Sequence, residues 1–406
     1  MPFPISPGVF VQERHRPPEW QSKGAVLFIG PFPKGPVGML ISVENATQLE
    51  EVFGDNAPQA RSPHVTLTAL RTFFDQGGRS ALVLRLAVGS ARPKPLGAEM
   101  LVTAAGEVEL IETAGPDPVQ PGDPGWVEHV EKSFARGDDL KGLQNLTLGQ
   151  AELVAAPILA SVAPRAAGEV YRKLHSLCLS QDMFLLLDPP ELSPGSGLEN
   201  GWFGRFRLGN SVNAIALAPL LQPINGTGTP MPPSGAVAGL LDRLARRRGV
   251  WSSPAGEQAC LNDLSPVEAT DQEVHAGVNR LCSRPEGAGF SDDGVYTRAG
   301  KDMPRLRHLR VLRKTRLTLR RELARLMDVT PAASHCSEAR LIAEALMVQL
   351  WQDGALRGRR QAQAFRVRTT EPDVKTGAFE LCVGLALQEP GRFLWESLTL
   401  EKGQTR

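Results

Sequence analysis

The chain has 406 residues and a mass of 43.9 kDa, with 45 Lys and Arg against 44 Asp and Glu, a formal charge of +1. At 42% hydrophobic and 22% charged, its composition excludes wholesale disorder, collagen-like repeats and coiled-coil fibres. The balanced charge argues against a dedicated nucleic-acid binder, whose affinity draws on a net cationic surface.

The opening Met1-Pro2-Phe3-Pro4-Ile5-Ser6-Pro7 has neither the basic nor the apolar region of a secretory signal. The apolar stretches Leu153 to Ala163 and Val212 to Ile224 are too short and proline-interrupted to span a bilayer, so no stable membrane insertion is expected. Five cysteines without a Cys-x-x-Cys spacing fit reduced thiols and assembly in a cytoplasm.

Residues 1–24 are proline-rich around one β-type run, Gly8-Val9-Phe10-Val11-Gln12, and read as an extended arm or a tail. Ala25 to Gly30 is a continuous apolar run of strand length, the pattern of a strand covered on both faces. Thr66 to Gln76 has helical spacing through Leu67, Leu70, Phe73 and Phe74 and stops at Gly77-Gly78. Ala81 to Leu86 repeats the buried-strand pattern. Strand, helix and strand in this order predict an α/β sheet.

From Pro95 to Glu131 the chain carries eight acidic residues and no Lys or Arg, which reads as a surface insertion extending to about residue 148. The α/β pattern returns with Leu153 to Pro157, a helix over Ala166 to Leu179, strands at Met183 to Asp188 and Ala214 to Leu217, and a helix over Ala236 to Arg246. The last hundred residues differ. A leucine stripe through Leu309, Leu312, Leu319, Leu323 and Leu326 predicts a helix. Its other faces carry nine cations from Arg305 to Arg325, including Arg310, Arg313, Lys314 and Arg320, against Glu322 alone. A second helix runs from Glu338 to Gln352, and strands are expected at Ala378 to Leu387 and Phe393 to Leu400.

Catalytic and cofactor chemistry are not expected. Pro36 stands where a phosphate-binding loop needs lysine, no G-x-G-x-x-G follows the first strand, and seven histidines lie singly with no metal-ligand spacing. Asp188 at a strand end and Ser234 before a helix suggest a subtilisin-order triad, but no histidine lies between His175 and His275 to take the nucleophile's proton. Asp188 then reads as a turn residue and Ser234 as an N-cap. For the arginine-rich helix three readings stand: a solvated face, an acidic protein partner, which is preferred, and nucleic acid.

Several segments taken together resemble the contractile tail sheath family of phages and related injection systems. They are Pro7-Gly8-Val9-Phe10-Val11-Gln12-Glu13; Val26 to Gly38; Glu51-Val52-Phe53-Gly54 followed by Phe73 to Ala81; and Pro232 to Gly239 with Gly249 to Gly256. Leu350 to Gly358 with Ala364-Phe365-Arg366-Val367 completes the set, in the family's order and over nearly the whole chain. The resemblance implies a non-enzymatic α/β outer domain at 25–295 with a mixed, subtilisin-like sheet. It implies a smaller α+β inner domain at 296–406, completed by exchanged terminal strands. Pro7, Gly8, Val9, Phe10 and Val11, with Phe393, Leu394, Trp395, Leu398 and Leu400, would be the exchange arms. Arg310, Arg313, Lys314 and Arg320 would face the tube or a neighbour. Expected partners are further copies of the chain, an inner tube protein, and baseplate and tail terminator proteins, in a phage tail or injection-system particle assembled in a bacterial cytoplasm. A minor or baseplate-proximal paralogue is the alternative.

Overall fold

The structure is a computed structural model. It describes residues 24–54, 62–190, 208, 211–225, 228–256, 259–267, 278–291, 295–299, 304–327, 333–373, 375–401 and 404–405. The Pro7–Gln12 arm lies outside the described residues. The chain divides into two compact units between Arg313 and Lys314, inside a helix, whereas the sequence reading places its boundary ahead of that helix.

The first unit opens with strand β1 (Ala25–Gly30), β2 (Leu40–Val43), helices α1 (Ala46–Phe53) and α2 (Val65–Asp75), and β3 (Ala81–Arg85). A hairpin of β4 (Pro95–Val102) and β5 (Val108–Ala114) follows, then α3 (Trp126–Arg136), β6 (Ala151–Ala155), α4 (Pro164–Ser180), β7 (Phe184–Leu187) and β8 (Ala214–Ala218). The short β9 (Leu221–Pro223), α5 (Ser234–Arg248), β10 (Leu261–Asn262), β11 (Leu264–Pro266), β12 (Val278–Arg284) and β13 (Gly287–Phe290) lead into α6 (Leu306–Leu323). Nine strands form one sheet in the order β10-β13-β12-β8-β7-β6-β1-β3-β2. The six from β12 to β3 are parallel, and antiparallel strands finish both edges.

Both faces of this sheet are covered, which is why its strands read as unbroken apolar runs. Val26 and Phe28 of β1 join the core formed with α2 and α5, while Leu27 and Ile29 join the core formed with α3 and α4. Thus α3, inside the segment read as a surface insertion, contributes to the core: Trp126, Val130 and Phe134 are buried. The β4–β5 ribbon ahead of it forms a two-stranded sheet separate from the main one, as β9 and β11 also do, and it is pinned at both ends. At its base Gly35 and Ala114 exchange backbone bonds of 2.9 and 3.2 Å. At its turn the Ala104 amide donates to the Leu40 carbonyl at 3.1 Å, and Gln150 Nε2 donates to the Ala104 carbonyl at 2.9 Å.

Arg85, at the end of β3 and fully buried, fixes the base further. Its guanidinium donates to the carbonyls of Gly35, Ala114 and Gly115 at 2.7, 2.9 and 2.8 Å and to Asp117 Oδ1 at 3.2 Å. Burial disfavours both charges, lowering the Arg85 pKa and pushing Asp117 up to about 6 against the pull of Arg85. The three carbonyls supply acceptors to both terminal nitrogens of the buried guanidinium, while Arg85 Nε is left without one.

The second unit, from Lys314, holds the rest of α6, then α7 (Ala333–Gln352), the short α8 (Gln361–Ala364) and four antiparallel strands in chain order. These are β14 (Phe365–Thr369), β15 (Phe379–Leu385), β16 (Leu394–Glu401) and β17 (Gln404–Thr405). Helix α7 packs on β14 and β15.

Candidate assembly surfaces

The arginine-rich helix is the largest departure from expectation. Arg310 and Arg313 are 3% and 5% exposed, so neither faces outward. Arg310 meets Glu152 of β6 in a two-pronged pair, Nε to Oε1 at 2.8 Å and Nη2 to Oε2 at 2.7 Å. Burial opposes the Arg310 charge, but the facing Glu152 carboxylate more than offsets it, and its pKa stands above the usual arginine value. Arg313 donates to the backbone carbonyls of Ala151, at 2.6 Å, and Asp182. Within the second unit Arg316 forms another two-pronged pair, with Glu396 of β16, both bonds 2.9 Å. Lys314 and Arg320 are half-buried; Arg321 is exposed and bonds Glu322. The counter-charges that α6 lacks in its own sequence thus come from strands far along the chain. Two signals point to this. Glu152 interrupts an apolar strand, and Glu396 falls on the inward parity of Leu394, Leu398 and Leu400.

Of the residues proposed as a C-terminal exchange arm, Leu394, Trp395, Leu398 and Leu400 lie in β16, and Phe393 directly precedes it. Leu398 and Leu400 are fully buried, Leu394 and Phe393 half-buried, and Trp395 is 46% exposed. Seven consecutive residues, Leu394 to Leu400, pair with β15 of the same chain. On its other edge β16 pairs only at Leu400 and Glu401, with β17. Among the described residues, the outer edge of Leu394 to Thr399 therefore meets no strand, and β14 forms the opposite edge of the sheet. Unpaired edges of this kind are templates for strand addition.

Asp188 and Ser234 come together, though not as a triad. Asp188 Oδ1 accepts the Ser234 backbone N–H at 2.9 Å, and both residues are buried, at 1% and 0% exposure. Ser234 is the first residue of α5 and Pro233 its N-cap, so the expectation of a Ser234 cap is corrected: the capping carboxylate is Asp188, reaching across from the end of β7. The Tyr171 hydroxyl accepts the Asp188 amide at 3.2 Å. Both residues are shut off from water.

Burial raises the Asp188 pKa to about 7, with the Ser234 amide holding it back. Because the folded-state value exceeds that of the unfolded chain, the folded protein binds the extra proton between about pH 4 and 7. This contribution is complete below the unfolded value and is lost as pH rises through about 7. Asp188→Asn keeps the acceptor for Ser234 and removes the titration. Urea unfolding at pH 5 and pH 8 should show wild type losing on the order of a few kcal/mol more than the variant across that interval.

A mixed sheet with a parallel centre, helices on both faces and a following helix-backed antiparallel sheet defines an α/β protein with an α+β C-terminal unit. The chain has the fold of contractile sheath proteins. It is similar to a chain of the anti-feeding prophage baseplate in its contracted state, with 20% identity, a TM-score of 0.64 and 100% of both chains covered. It is similar to a chain of the extracellular contractile injection system PVC sheath complex in its contracted state, at 17% identity, TM-score 0.62 and 97% of each chain. The sheath tail protein of Desulfitobacterium hafniense matches at 12% identity, TM-score 0.60 and 99% of each chain. No protein-family model and no curated protein matches the sequence.

Proposed function

We propose that this chain is a structural subunit of a contractile sheath, one that polymerises around an inner tube and shortens to drive the tube through a target envelope. The observation that carries the reading is the extent of the match. Sheath chains from an extracellular contractile injection system and from a bacterial sheath tail protein align with 97% or more of this chain, and the reverse coverage is as high. The sealed Asp188–Ser234 pair supports a non-enzymatic role. A second reading, a baseplate-proximal sheath paralogue, draws support from the likeness to baseplate chains of the anti-feeding prophage.

A contracting lattice needs links that survive large rigid-body movement of its subunits. Backbone pairing between neighbours provides them, because a strand ladder holds while side-chain contacts repack. The open β16 edge suits such a link, with residues 7–11 of a neighbour as the strand that adds to it. On this reading partners are further copies, a tube protein and the baseplate and terminator proteins that end the sheath, all joined in a bacterial cytoplasm. Deleting residues 1–20 should leave a folded monomer that forms no tubes by negative-stain microscopy. Tubes of normal length from the deletion would remove the arm from the account.

A further inference from the structure

The ribbon of β4 and β5 turns an apolar face to solvent. Met100 and Leu110 sit directly opposite each other, flanked by Leu96 and Val108, and the four are 61%, 69%, 63% and 60% exposed. The other face of the ribbon buries Leu101 and Ile111 in the core, and both ends are tied down, so this is a rigid plate. Contiguous exposed apolar surface on a rigid element is characteristic of a docking site. Its charge selects the partner. Glu112 lies on the plate opposite Ala98, Glu107 lies in the turn, and no cation occurs from Pro95 to Glu131. A complementary surface must be apolar and cationic together.

The outer face of the C-terminal sheet has that chemistry. Trp395 stacks edge-on with Phe393 at 6.0 Å, Arg368 lies over the Trp395 ring at 5.1 Å, and Arg366 over Phe393 at 5.6 Å. The indole is held flat because its cross-strand partner is Gly384, where a Cβ would come within 3.1 Å of the ring. Exposed tryptophan interleaved with arginine is the composition of an interface hot spot.

We propose that the β4–β5 plate of one copy docks on the Trp395–Arg366–Arg368 face of a second copy, with Glu107 and Glu112 meeting the two arginines. The inference rests on the reading of the chain as one that polymerises. Each docking event leaves one copy with a free face and the other with a free plate, so head-to-tail contacts of this kind propagate into rings or filaments, whereas reciprocal docking about a two-fold axis would stop at a dimer.

Charge exchange in the full chain tests this. Glu107→Arg/Glu112→Arg makes both patches basic, and Arg366→Glu/Arg368→Glu makes both acidic. Sedimentation velocity should show each variant alone self-associating about tenfold or more weakly than wild type. A 1:1 mixture should recover the wild-type distribution, and Leu110→Asp added to the first variant should abolish that recovery. Should either double variant fail to fold, Glu112→Gln and Arg368→Gln replace them, each weakening association in a salt-sensitive way. Association of the single variants equal to wild type, a mixture that stays dissociated, or a wild type monomeric at all loadings overturns the proposal. Tubes formed equally by wild type and both variants overturn the docking and leave the sheath reading standing. A wild type that self-associates by charge exchange without forming tubes does the reverse.

Discussion

Glu152→Leu should destabilise the first unit by about 3–5 kcal/mol, because it strands a buried guanidinium that cannot shed its proton. Arg310 is enclosed on α6, its Nε and Nη2 are satisfied by Glu152, and its third contact, with the Leu241 carbonyl, is long at 3.4 Å. Without the carboxylate, only the more distant Asp242 charge and the long Leu241 contact are left against the desolvation that burial imposes on the charge. The melting midpoint should fall by roughly 10 °C for a unit of this size. The double change Arg310→Met/Glu152→Leu should recover most of the loss, since a packed apolar pair removes the ion pair and its desolvation together. Thermal unfolding followed by circular dichroism checks both. A single variant as stable as wild type, or a double variant no better than the single, would contradict this account of the helix. The same geometry excludes Arg310 reversal as a probe of assembly, because Arg310→Glu would oppose Glu152 inside the fold.

Gly235→Val should cost about 3 kcal/mol or more, and Gly235→Ala and Gly239→Ala about 1–3 kcal/mol each, although alanine is the better helix former by about 1 kcal/mol. The two glycines lie one turn apart on α5 and face Ala69 and Phe73, also one turn apart on α2. A Cβ at residue 235 would stand 2.1 Å from the Ala69 carbonyl oxygen, and one at residue 239 would stand 2.4 Å from that of Phe73. These neighbours are backbone, so the helices themselves must separate. Separation would loosen Leu70, Phe73, Val237 and Leu240, all fully buried between helix and sheet. Chemical denaturation should show the loss with the m-value unchanged. A stabilising Gly235→Ala would show that propensity outweighs the close approach.

The central strands were legible in the sequence because both faces of the sheet are covered. A run such as Val26 to Ile29 or Phe184 to Leu187 has no polar position to mislead the reader. Helix α2 was legible from its spacing and the Gly77-Gly78 stop, and α4 and α5 from their helical pattern. Strands β10, β13 and β12, at and next to one edge of the sheet, were not, being short or interrupted by Asn279, Arg280 and glycines, of which Gly287 packs against the Leu261 backbone of β10. The environment of α6 was misread for a different reason. Helical periodicity separates leucine from arginine, but it cannot tell a solvated arginine from one whose partner lies 158 residues away, as Glu152 does from Arg310. The Pro-Pro-Ser-Gly-Ala-Val-Ala-Gly segment was recognisable as a motif, whereas its physical basis needed the backbone of α2 beside it.

Those features describe one subunit, and the sheath reading concerns what many subunits do together. The most direct test is negative-stain microscopy of the purified full chain, taken through concentration and salt, alongside the chain lacking residues 1–20. The reading predicts tubes or stacked rings of one fixed diameter from the full chain and single compact particles from the truncated one. A full chain that remains single particles under every condition, or that forms only irregular aggregates of no fixed diameter, would contradict it.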